Sequence, residues 1–191
     1  LAMVDSSIGG KTAVNTKHGK NLIGTTYQPD AVFADLGLLE TLPNSELING
    51  MAEIIKIAAT SDKVLFEFIE KNCKKILNRD KAALIHIIKK AIELKKDVVE
   101  KDEKESGLRQ TLNFGHTIGH ALENYHNYKK KHGHCISIGL VIESKIANLI
   151  GKLGNDEVKR IKELLNKFNL PTTVEKNVDI DKIMEIMKID K

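Results

Sequence analysis

The chain has 191 residues, of which 41% are hydrophobic and 29% charged, and its formal net charge is +4. This length and composition fit one globular domain, or one domain with an extended arm. No apolar run approaches the ~20 residues that a membrane-spanning helix needs. Lysines are interleaved with glutamates and only 4% of residues are aromatic, which argues against a nucleic-acid-binding surface.

The two cysteines, Cys73 and Cys135, form neither a disulfide framework nor a CxxC motif. A reducing, cytoplasmic location is therefore expected. Because the chain opens at Leu1 without an initiator methionine and stops without a tail, we expect it to be a piece of a longer protein.

Residues 1–35 differ from the rest of the chain because they are rich in glycine. The β-prone runs at 13–15 and 31–34 predict one or two short strands, in the form of a hairpin. We therefore predict a glycine-rich arm of loops and short strands over residues 1–35.

From residue 36 onward, apolar residues recur at spacings of three and four, which is typical of helices. Helices are predicted from about residue 45 and over 64–77, 80–101, 136–149, 156–168 and 179–187. Another helix is predicted to follow residues 107–109 and to run to about residue 124, and residues 129–133 are predicted to form a basic loop. The expected fold class is mainly α, with a bundle-like helical domain over residues 36–191.

The stretch 109–120 carries the strongest chemical signal. On one continuous helix, spacings of three and four would place four polar residues on one face: Arg109, Asn113, His116 and His120. A face that only packs against a core would not carry a guanidinium, an amide and two imidazoles. We interpret it as the wall of a site for a metal, an anionic substrate or both.

Two glycine–lysine pairs near the N-terminus are candidate anion-binding loops: Gly10-Lys11, which follows Gly9, and Gly19-Lys20. Paired glycines allow the backbone to approach an anion closely, although neither pair has the spacing of a P-loop. A surface turn with an ordinary lysine is the alternative for each pair. Together, and preceded by Asp5, they favour anion binding.

Glu53 and Lys56 lie three residues apart in a strongly apolar helix. An ion pair on the helix surface would explain them, but their apolar neighbours favour a buried carboxylate, which requires a partner such as a divalent cation. With His132 and one or both of His116 and His120, Glu53 would form a histidine–carboxylate site suited to catalytic Zn²⁺. Spacing alone leaves the choice of histidines open, and His132 could instead belong to a solvent-exposed loop.

Taken in order, these motifs resemble those of the 3-dehydroquinate synthase family, within the sugar-phosphate cyclases. The resemblance extends from residue 4 to about residue 140 and rests on VDSSIGGKTAVN at 4–15, GKNLIG at 19–24, YQP at 27–29, AEIIK at 52–56, GLR at 107–109, LNFGHTIGHA at 112–121 and HG at 132–133. Several unrelated motifs would have to coincide for this order to arise by chance.

The resemblance implies a two-domain enzyme whose N-terminal half is a Rossmann-like NAD-binding domain. This chain is similar to the other half, so that Rossmann-like domain is expected to be absent, and the arm would line the cofactor and substrate cleft. The implied substrate is the seven-carbon sugar acid phosphate DAHP. Bound NAD⁺ would oxidise a hydroxyl transiently, phosphate would be eliminated, and the hydride would return before an intramolecular aldol step closes the ring.

Residue roles are also implied by the resemblance. The metal ligands would be Glu53, His116 and His132, holding Zn²⁺ or Co²⁺. The groups around the substrate would be Asp5, Lys56, Lys95, Arg109, Asn113 and His120, with His120 not a ligand. The NAD contacts would be Lys11, Lys20, Asn21, Leu38, Leu39, Glu40 and Thr41. The family usually has glutamate at the position of His134, so His134 would change the support of a metal histidine or compete as a ligand.

The resemblance further implies a homodimer that contains its own NAD-binding domain. Two enzymatic alternatives are a related cyclase that makes another carbocycle and a metal-dependent polyol dehydrogenase. A non-catalytic alternative is a basic helical binding module, which would bind oligonucleotides in a salt-dependent way and tolerate the loss of Glu53.

Overall fold

The computed structural model describes residues 1–16 and 19–188, and for residues 15, 16 and 19–22 it describes the backbone alone. The described chain is mainly helical, as predicted, with a single two-stranded sheet near its N-terminus. The strands are β1, Lys11–Thr16, and β2, Gly19–Thr26. Short 3₁₀ helices span Leu36–Leu39 and Leu108–Asn113. The α-helices are α1, Asn44–Ser61; α2, Lys63–Leu77; α3, Lys81–Lys101; α4, His116–Tyr125; α5, His132–Leu149; α6, Asn155–Lys167; and α7, Ile180–Met187.

The strands form an antiparallel hairpin, which confirms the predicted arm. Lys11 pairs with Thr26 at its open end. The second predicted strand, at 31–34, is wrong: in the described chain these residues pair with no strand, and Phe33 is 94% exposed. A β-prone run becomes a strand only where a neighbouring strand is available to pair with it.

Helix α1 lies at the centre of the helical domain. Every residue from Asn49 to Ala58 is buried, and the helix contacts α2, α3, α5 and α6. A helix that is apolar on nearly all sides is expected to be buried on all sides. The two charged residues within this segment, Glu53 and Lys56, are therefore carried into the interior.

Helix α4 is held between α5 and α7. It packs closely on α5 because Gly139 has no side chain: a Cβ there would lie 2.0 Å from the carbonyl oxygen of Gly115. Ile118 and Leu122 of α4 join a small core with Ile138 of α5 and Ile183 of α7. The position of α4 therefore depends on two other helices.

The continuous helix predicted to follow residues 107–109 and to run to about residue 124 is wrong. A 3₁₀ helix covers Leu108–Asn113, and α4 starts only at His116, after Gly115 with φ +79°. A residue with positive φ interrupts a right-handed helix, and glycine adopts that conformation at little cost. Arg109 and Asn113 therefore do not share one helical face with His116.

The predicted basic loop at 129–133 is too long, because α5 begins at His132 rather than near residue 136. The amide N–H of Gly133 donates to Asn49 Oδ1 of α1 over 2.6 Å. This partner is distant in sequence, so local patterns could not reveal it.

Among the described helices, none has both the length and the apolar character needed to cross a membrane.

Candidate metal centre and substrate cleft

A cleft of about 790 Å³ is lined by both the N-terminal arm and the helical domain. It gathers predicted site residues from positions 5 to 132 of the chain. Those that line it are Asp5, Lys11, Lys56, Lys95, Arg109, Asn113, His116, His120 and His132. The cleft therefore combines several cationic side chains with three imidazoles.

Glu53, from the buried centre of α1, approaches two of these imidazoles and is 2% exposed. Its Oε2 accepts a hydrogen bond of 2.6 Å from Lys56 Nζ, so the ion pair considered from the sequence does form. Its Oε1 is buried and accepts no hydrogen bond from the described residues. A buried carboxylate oxygen without a partner is costly, and a cation would satisfy it.

The imidazoles of His116 and His132 both direct Nε2 at this oxygen. The distances from Glu53 Oε1 are 3.6 Å to His116 Nε2 and 3.2 Å to His132 Nε2. Each ring is oriented through Nδ1, which lies 3.2 Å from the carbonyl oxygen of Phe114 in His116 and 3.0 Å from Glu123 Oε1 in His132.

Because these oxygens are acceptors, Nδ1 is the donor in both rings. Each Nε2 then faces Glu53 Oε1 with either its lone pair or a proton that a metal could displace. Histidines that ligate metals are commonly oriented in this way. We call Glu53, His116 and His132 the metal end of the cleft. Their donor set and the unsatisfied oxygen fit a divalent cation such as Zn²⁺ or Co²⁺.

The charges at the metal end are strongly coupled. Burial alone would raise the pKa of Glu53, but Lys56, His132 and His116 hold it well below its usual range. Burial lowers the pKa of His116 to about 4. Burial also opposes the charged form of His132, but the neighbouring Glu123 and Glu53 carboxylates raise its pKa to about 9. The two carboxylates thus favour a positive charge at this position, which a bound cation would supply.

His120 lies beside both candidate ligands. Its ring centroid is 5.1 Å from that of His116 and 6.1 Å from that of His132. With Glu123 and His132 it forms a second group whose donor atoms could converge. Both groups contain His132, so they are alternative arrangements of donors.

His134 belongs to neither of these groups. Burial and the neighbouring Lys131 lower its pKa. The prediction that His134 could compete as a ligand is therefore not supported by its position. The carboxylate that supports His132 comes instead from Glu123, which lies on α4 one turn beyond His120 and is 4% exposed.

Asp5 and Lys95 form an ion pair in the wall of the cleft. Lys95 Nζ donates to both the carbonyl oxygen and Oδ1 of Asp5, each at 2.5 Å. Burial lowers the pKa of Lys95, and the aspartate opposes that shift. The pair fastens α3 to the N-terminal segment and keeps an ammonium group at the cleft.

Another part of the cleft lining, which we call the loop end, is formed by Lys11, Glu105, Arg109 and Asn113. Glu105 accepts a hydrogen bond of 2.8 Å from Asn113 Nδ2 and forms an ion pair with Lys11. Burial would raise the pKa of Glu105, but the Lys11 and Asn113 contacts lower it. The polar groups here satisfy one another.

Arg109 is 3% exposed and connects two backbone segments at the loop end. It donates 2.8 Å hydrogen bonds to the carbonyl oxygens of Glu103 and Gly9. Gly9 has φ +104°, and a Cβ there would lie 2.6 Å from the Arg109 guanidinium. The absence of a side chain at Gly9, which belongs to the motif expected to approach an anion, therefore leaves room for the Arg109 guanidinium.

Asp102 organises the loop that carries Glu105 and Arg109. Its carboxylate accepts hydrogen bonds from the backbone N–H groups of Ser106, Gly107 and Arg109. The Arg109 and Ser106 bonds contribute most to lowering the pKa of Asp102, to about 2.

The segment predicted to contact NAD lies away from the cleft lining. Leu38, Leu39, Glu40 and Thr41 are absent from it, and Leu38 is 64% exposed. The Arg79 guanidinium holds the segment by donating to the carbonyl oxygens of Leu39, Glu40 and Leu42 and to Asn44 Oδ1. The side chains of Lys20 and Asn21 lie outside the described residues.

Sequence reasoning missed three groups that act on the predicted residues: Glu105, Glu123 and Asp102. Glu123 had a usable signal, because it lies three and seven residues after His120 and His116 and so shares their side of α4. Glu105 and Asp102 lie in an irregular segment where spacing carries no comparable information.

These features define a helical domain with a histidine–carboxylate centre at a cleft lined by three lysines and an arginine. Residues 50–191 match the family profile described as 3-dehydroquinate synthase C-terminal, and residues 1–49 match the one described as 3-dehydroquinate synthase N-terminal. The chain belongs to the 3-dehydroquinate synthase family.

Curated relatives agree with this assignment. The chain is 49% identical over its whole length to a 3-dehydroquinate synthase of Thermodesulfovibrio yellowstonii, of which it covers 54%. It is 45% identical over its whole length to the chloroplastic 3-dehydroquinate synthase of Arabidopsis thaliana, of which it covers 43%. The chain thus spans about half the length of the curated relatives it matches.

Solved structures of other cyclases share the fold. A 2-epi-5-epi-valiolone synthase from Streptomyces hygroscopicus, with NAD⁺ and Zn²⁺ bound, has a TM-score of 0.90 at 26% identity; the match covers 98% of this chain and 52% of that one. A 2-deoxy-scyllo-inosose synthase in complex with carbaglucose-6-phosphate, NAD⁺ and Co²⁺ has a TM-score of 0.88 at 31% identity; the match covers 100% of this chain and 52% of that one.

Proposed function

We propose that this chain is the metal- and substrate-binding part of a 3-dehydroquinate synthase, which converts DAHP to 3-dehydroquinate and inorganic phosphate. The observation that carries the proposal is the buried, unsatisfied Oε1 of Glu53, which two oriented imidazoles face at the edge of a cationic cleft. In this assignment the arm is residues 1–35 and the helical domain is residues 36–191. NAD and a divalent metal complete the site, as in the two related cyclase structures.

The metal would be held by Glu53, His116 and His132, and when bound it supplies Lewis-acid polarisation of the substrate oxygen at the carbon being oxidised. The charged residues around it have separable tasks. Lys56 neutralises Glu53 Oε2, and Lys95 is kept at the cleft by Asp5. These two ammonium groups provide fixed positive charge for a phosphate and a carboxylate.

We assign proton transfer to His120, because it lines the cleft beside both candidate ligands and an imidazole can exchange a proton near neutral pH. Arg109 has donors committed to two carbonyl oxygens. Arg109 could contact the substrate only through an N–H group outside those two hydrogen bonds, so this contact remains a prediction. Asn113 and Lys11 would leave Glu105 for a ligand at the loop end.

The remaining assignments follow from the family. NAD would contact Lys11, Lys20 and Asn21 together with the 38–41 segment. A homodimer, a complete N-terminal NAD-binding domain in the whole protein and a cytoplasmic location also belong to the proposal. A related cyclase is the second candidate; the relatives named 3-dehydroquinate synthase are 45–49% identical, whereas the two other cyclases are 26–31% identical, which favours the first.

The test uses the complete protein that contains this chain. Phosphate release from DAHP is measured with and without NAD⁺, and before and after metal removal by a chelator, and the carbocyclic product is identified by mass spectrometry and NMR. We expect 3-dehydroquinate, formed only when both NAD⁺ and metal are present. A different carbocycle would assign the protein to a related cyclase, and turnover without NAD⁺ would contradict the transient oxidation.

A further inference from the structure

The two helices that carry the candidate imidazole ligands begin at those ligands. His116 is the first residue of α4, and His132 is the first residue of α5. The preceding residues, Gly115 and Lys131, provide no side-chain cap. The first N–H groups of a helix have no partner within the helix, so an uncapped end frays easily. A ligand at that position moves with the end of the helix.

Helices α2, α3 and α7 are capped by an aspartate of their own sequence, whereas α1 and α6 begin without a side-chain cap. Asp62 caps α2 by accepting from Leu65 N at 2.9 Å, and Asp80 caps α3 by accepting from Ala83 N at 2.9 Å. In α4 and α5 the caps come instead from side chains that are distant in sequence.

The cap of α5 is Asn49 of α1. Its Oδ1 accepts a 2.6 Å hydrogen bond from Gly133 N, and Asn49 is 6% exposed. Asn49 precedes Glu53 by four residues on the same helix, so the two side chains project from adjacent turns of one side of α1. The helix that provides the carboxylate therefore also fixes the start of the helix that provides His132.

The cap of α4 is Glu143 of α5. Glu143 Oε2 accepts from Gly115 N at 2.6 Å, and Oε1 accepts from Ile118 N at 3.3 Å. These N–H groups flank His116. A carboxylate at a helix N-terminus also interacts favourably with the helix dipole. Helix α5, which begins with His132, thus fixes the start of the helix that provides His116.

We infer that Asn49 and Glu143 are positioning residues for the metal centre: α1 holds the start of α5, and α5 holds the start of α4, so that the three candidate ligands are set relative to one another through two interhelical caps. The inference rests on the proposed ligand set. Without the caps the first turns loosen, and a displacement of about 1 Å is enough to impair a catalytic geometry.

The test compares metal affinity across matched variants of the complete protein. Apo-protein is titrated with Co²⁺ against a competing chelator, and the visible absorption of bound Co²⁺ reports ligand geometry. Asn49→Ala and Glu143→Ala remove the interhelical caps. Asn49→Asp and Glu143→Gln each retain an acceptor oxygen. Asp62→Ala removes an equivalent cap from α2, which carries no candidate ligand.

We expect both alanine variants to weaken Co²⁺ binding by about 10-fold or more, as found for outer partners of metal ligands, and to shift the Co²⁺ absorption. Asn49→Asp keeps the acceptor for Gly133 N but loses the amide donor to Glu46 Oε2. Asn49→Asp and Glu143→Gln should therefore each bind Co²⁺ with an affinity between those of the alanine variant and the native protein. Asp62→Ala should lower the melting temperature and leave the affinity unchanged. If an alanine variant does not fold, its conservative partner is decisive: that variant must still bind Co²⁺ more weakly than the native protein, and equal affinity would contradict the positioning role.

Two failures can be told apart. If the native protein binds Co²⁺ tightly, Glu53→Gln abolishes binding and the cap variants bind as well as the native protein, the positioning role is wrong and the proposed centre stands. If Glu53→Gln leaves Co²⁺ binding intact, the proposed centre is wrong, and the positioning role fails with it.

Discussion

At the metal end of the cleft, side chains from three helices leave one buried oxygen unsatisfied, whereas at the loop end the polar groups satisfy one another. The metal end is buried among packed helices, so its side chains cannot rearrange without disturbing the core. The loop end lies on an arm and an irregular segment, where pairs can exchange partners. The comparison suggests that the first end is preorganised for a fixed ion and the second for a ligand that arrives and leaves.

The largest expected effect tests the preorganised end. Glu53→Gln should weaken metal binding by more than about 100-fold and abolish activity, because loss of a direct ligand exceeds the 10–100-fold cost of losing an outer partner. Helical content by circular dichroism should stay near that of the native protein. Glu70→Gln is the control, since Glu70 pairs with Arg160 and does not line the cleft. Full activity of Glu53→Gln in metal-free buffer would contradict the assignment.

A smaller effect is expected from the residue that orients His132. Glu123→Ala should weaken metal binding by about 10–100-fold, because Nδ1 of His132 loses its acceptor. Chelator competition measures the change. Glu175→Ala is the control, because Glu175 lies 4.0 Å from the His126 ring nitrogen and does not line the cleft. Equal metal affinity in Glu123→Ala and the native protein would show that the ring is held in another way.

At the loop end, function and stability should separate. Lys11→Ala should raise the KM for NAD⁺ several-fold, yet change the free energy of unfolding by less than about 1 kcal/mol, because partly exposed ion pairs contribute little. Steady-state kinetics and urea unfolding provide the two values. Lys89→Ala breaks an exposed helical pair with Glu93 and should leave KM unchanged. An unchanged KM in Lys11→Ala would remove Lys11 from the cofactor contacts.

The smallest effect is local and depends on pH. In the folded protein the pKa of Asp102 is lowered from 3.8 to about 2. The stability that its ionised carboxylate gives the loop is therefore fully present above the ordinary pKa of 3.8 and is lost as the pH falls through the folded pKa of about 2. Amide exchange at Gly107 and Arg109 should therefore accelerate between about pH 4 and about pH 2, relative to an unstructured reference. Asp102→Asn should accelerate it at pH 7, whereas Asp97→Asn on exposed α3 surface should not. Unchanged exchange in Asp102→Asn would mean that other contacts hold the loop.

Much of the fold could be predicted from the sequence because it depends on local periodicity. The three- and four-residue spacing located the helices, and the glycine-rich start predicted the hairpin. The errors lie where a distant partner or a backbone break decides the outcome. Gly115 interrupts the helix predicted to run to about residue 124, and the hydrogen bond from Gly133 to Asn49 lets α5 start four residues early.

By itself the sequence determined the helical class, the family and the residue types of the centre, because these depend on local patterns and ordered motifs. Only the tertiary structure decided which groups meet. It directed the Nε2 atoms of His116 and His132 at Glu53, left His134 outside, and gave the support of His132 to Glu123. The reason is geometric: a ligand set depends on how helices cross and where they begin, and those are settled by packing between segments far apart in the chain.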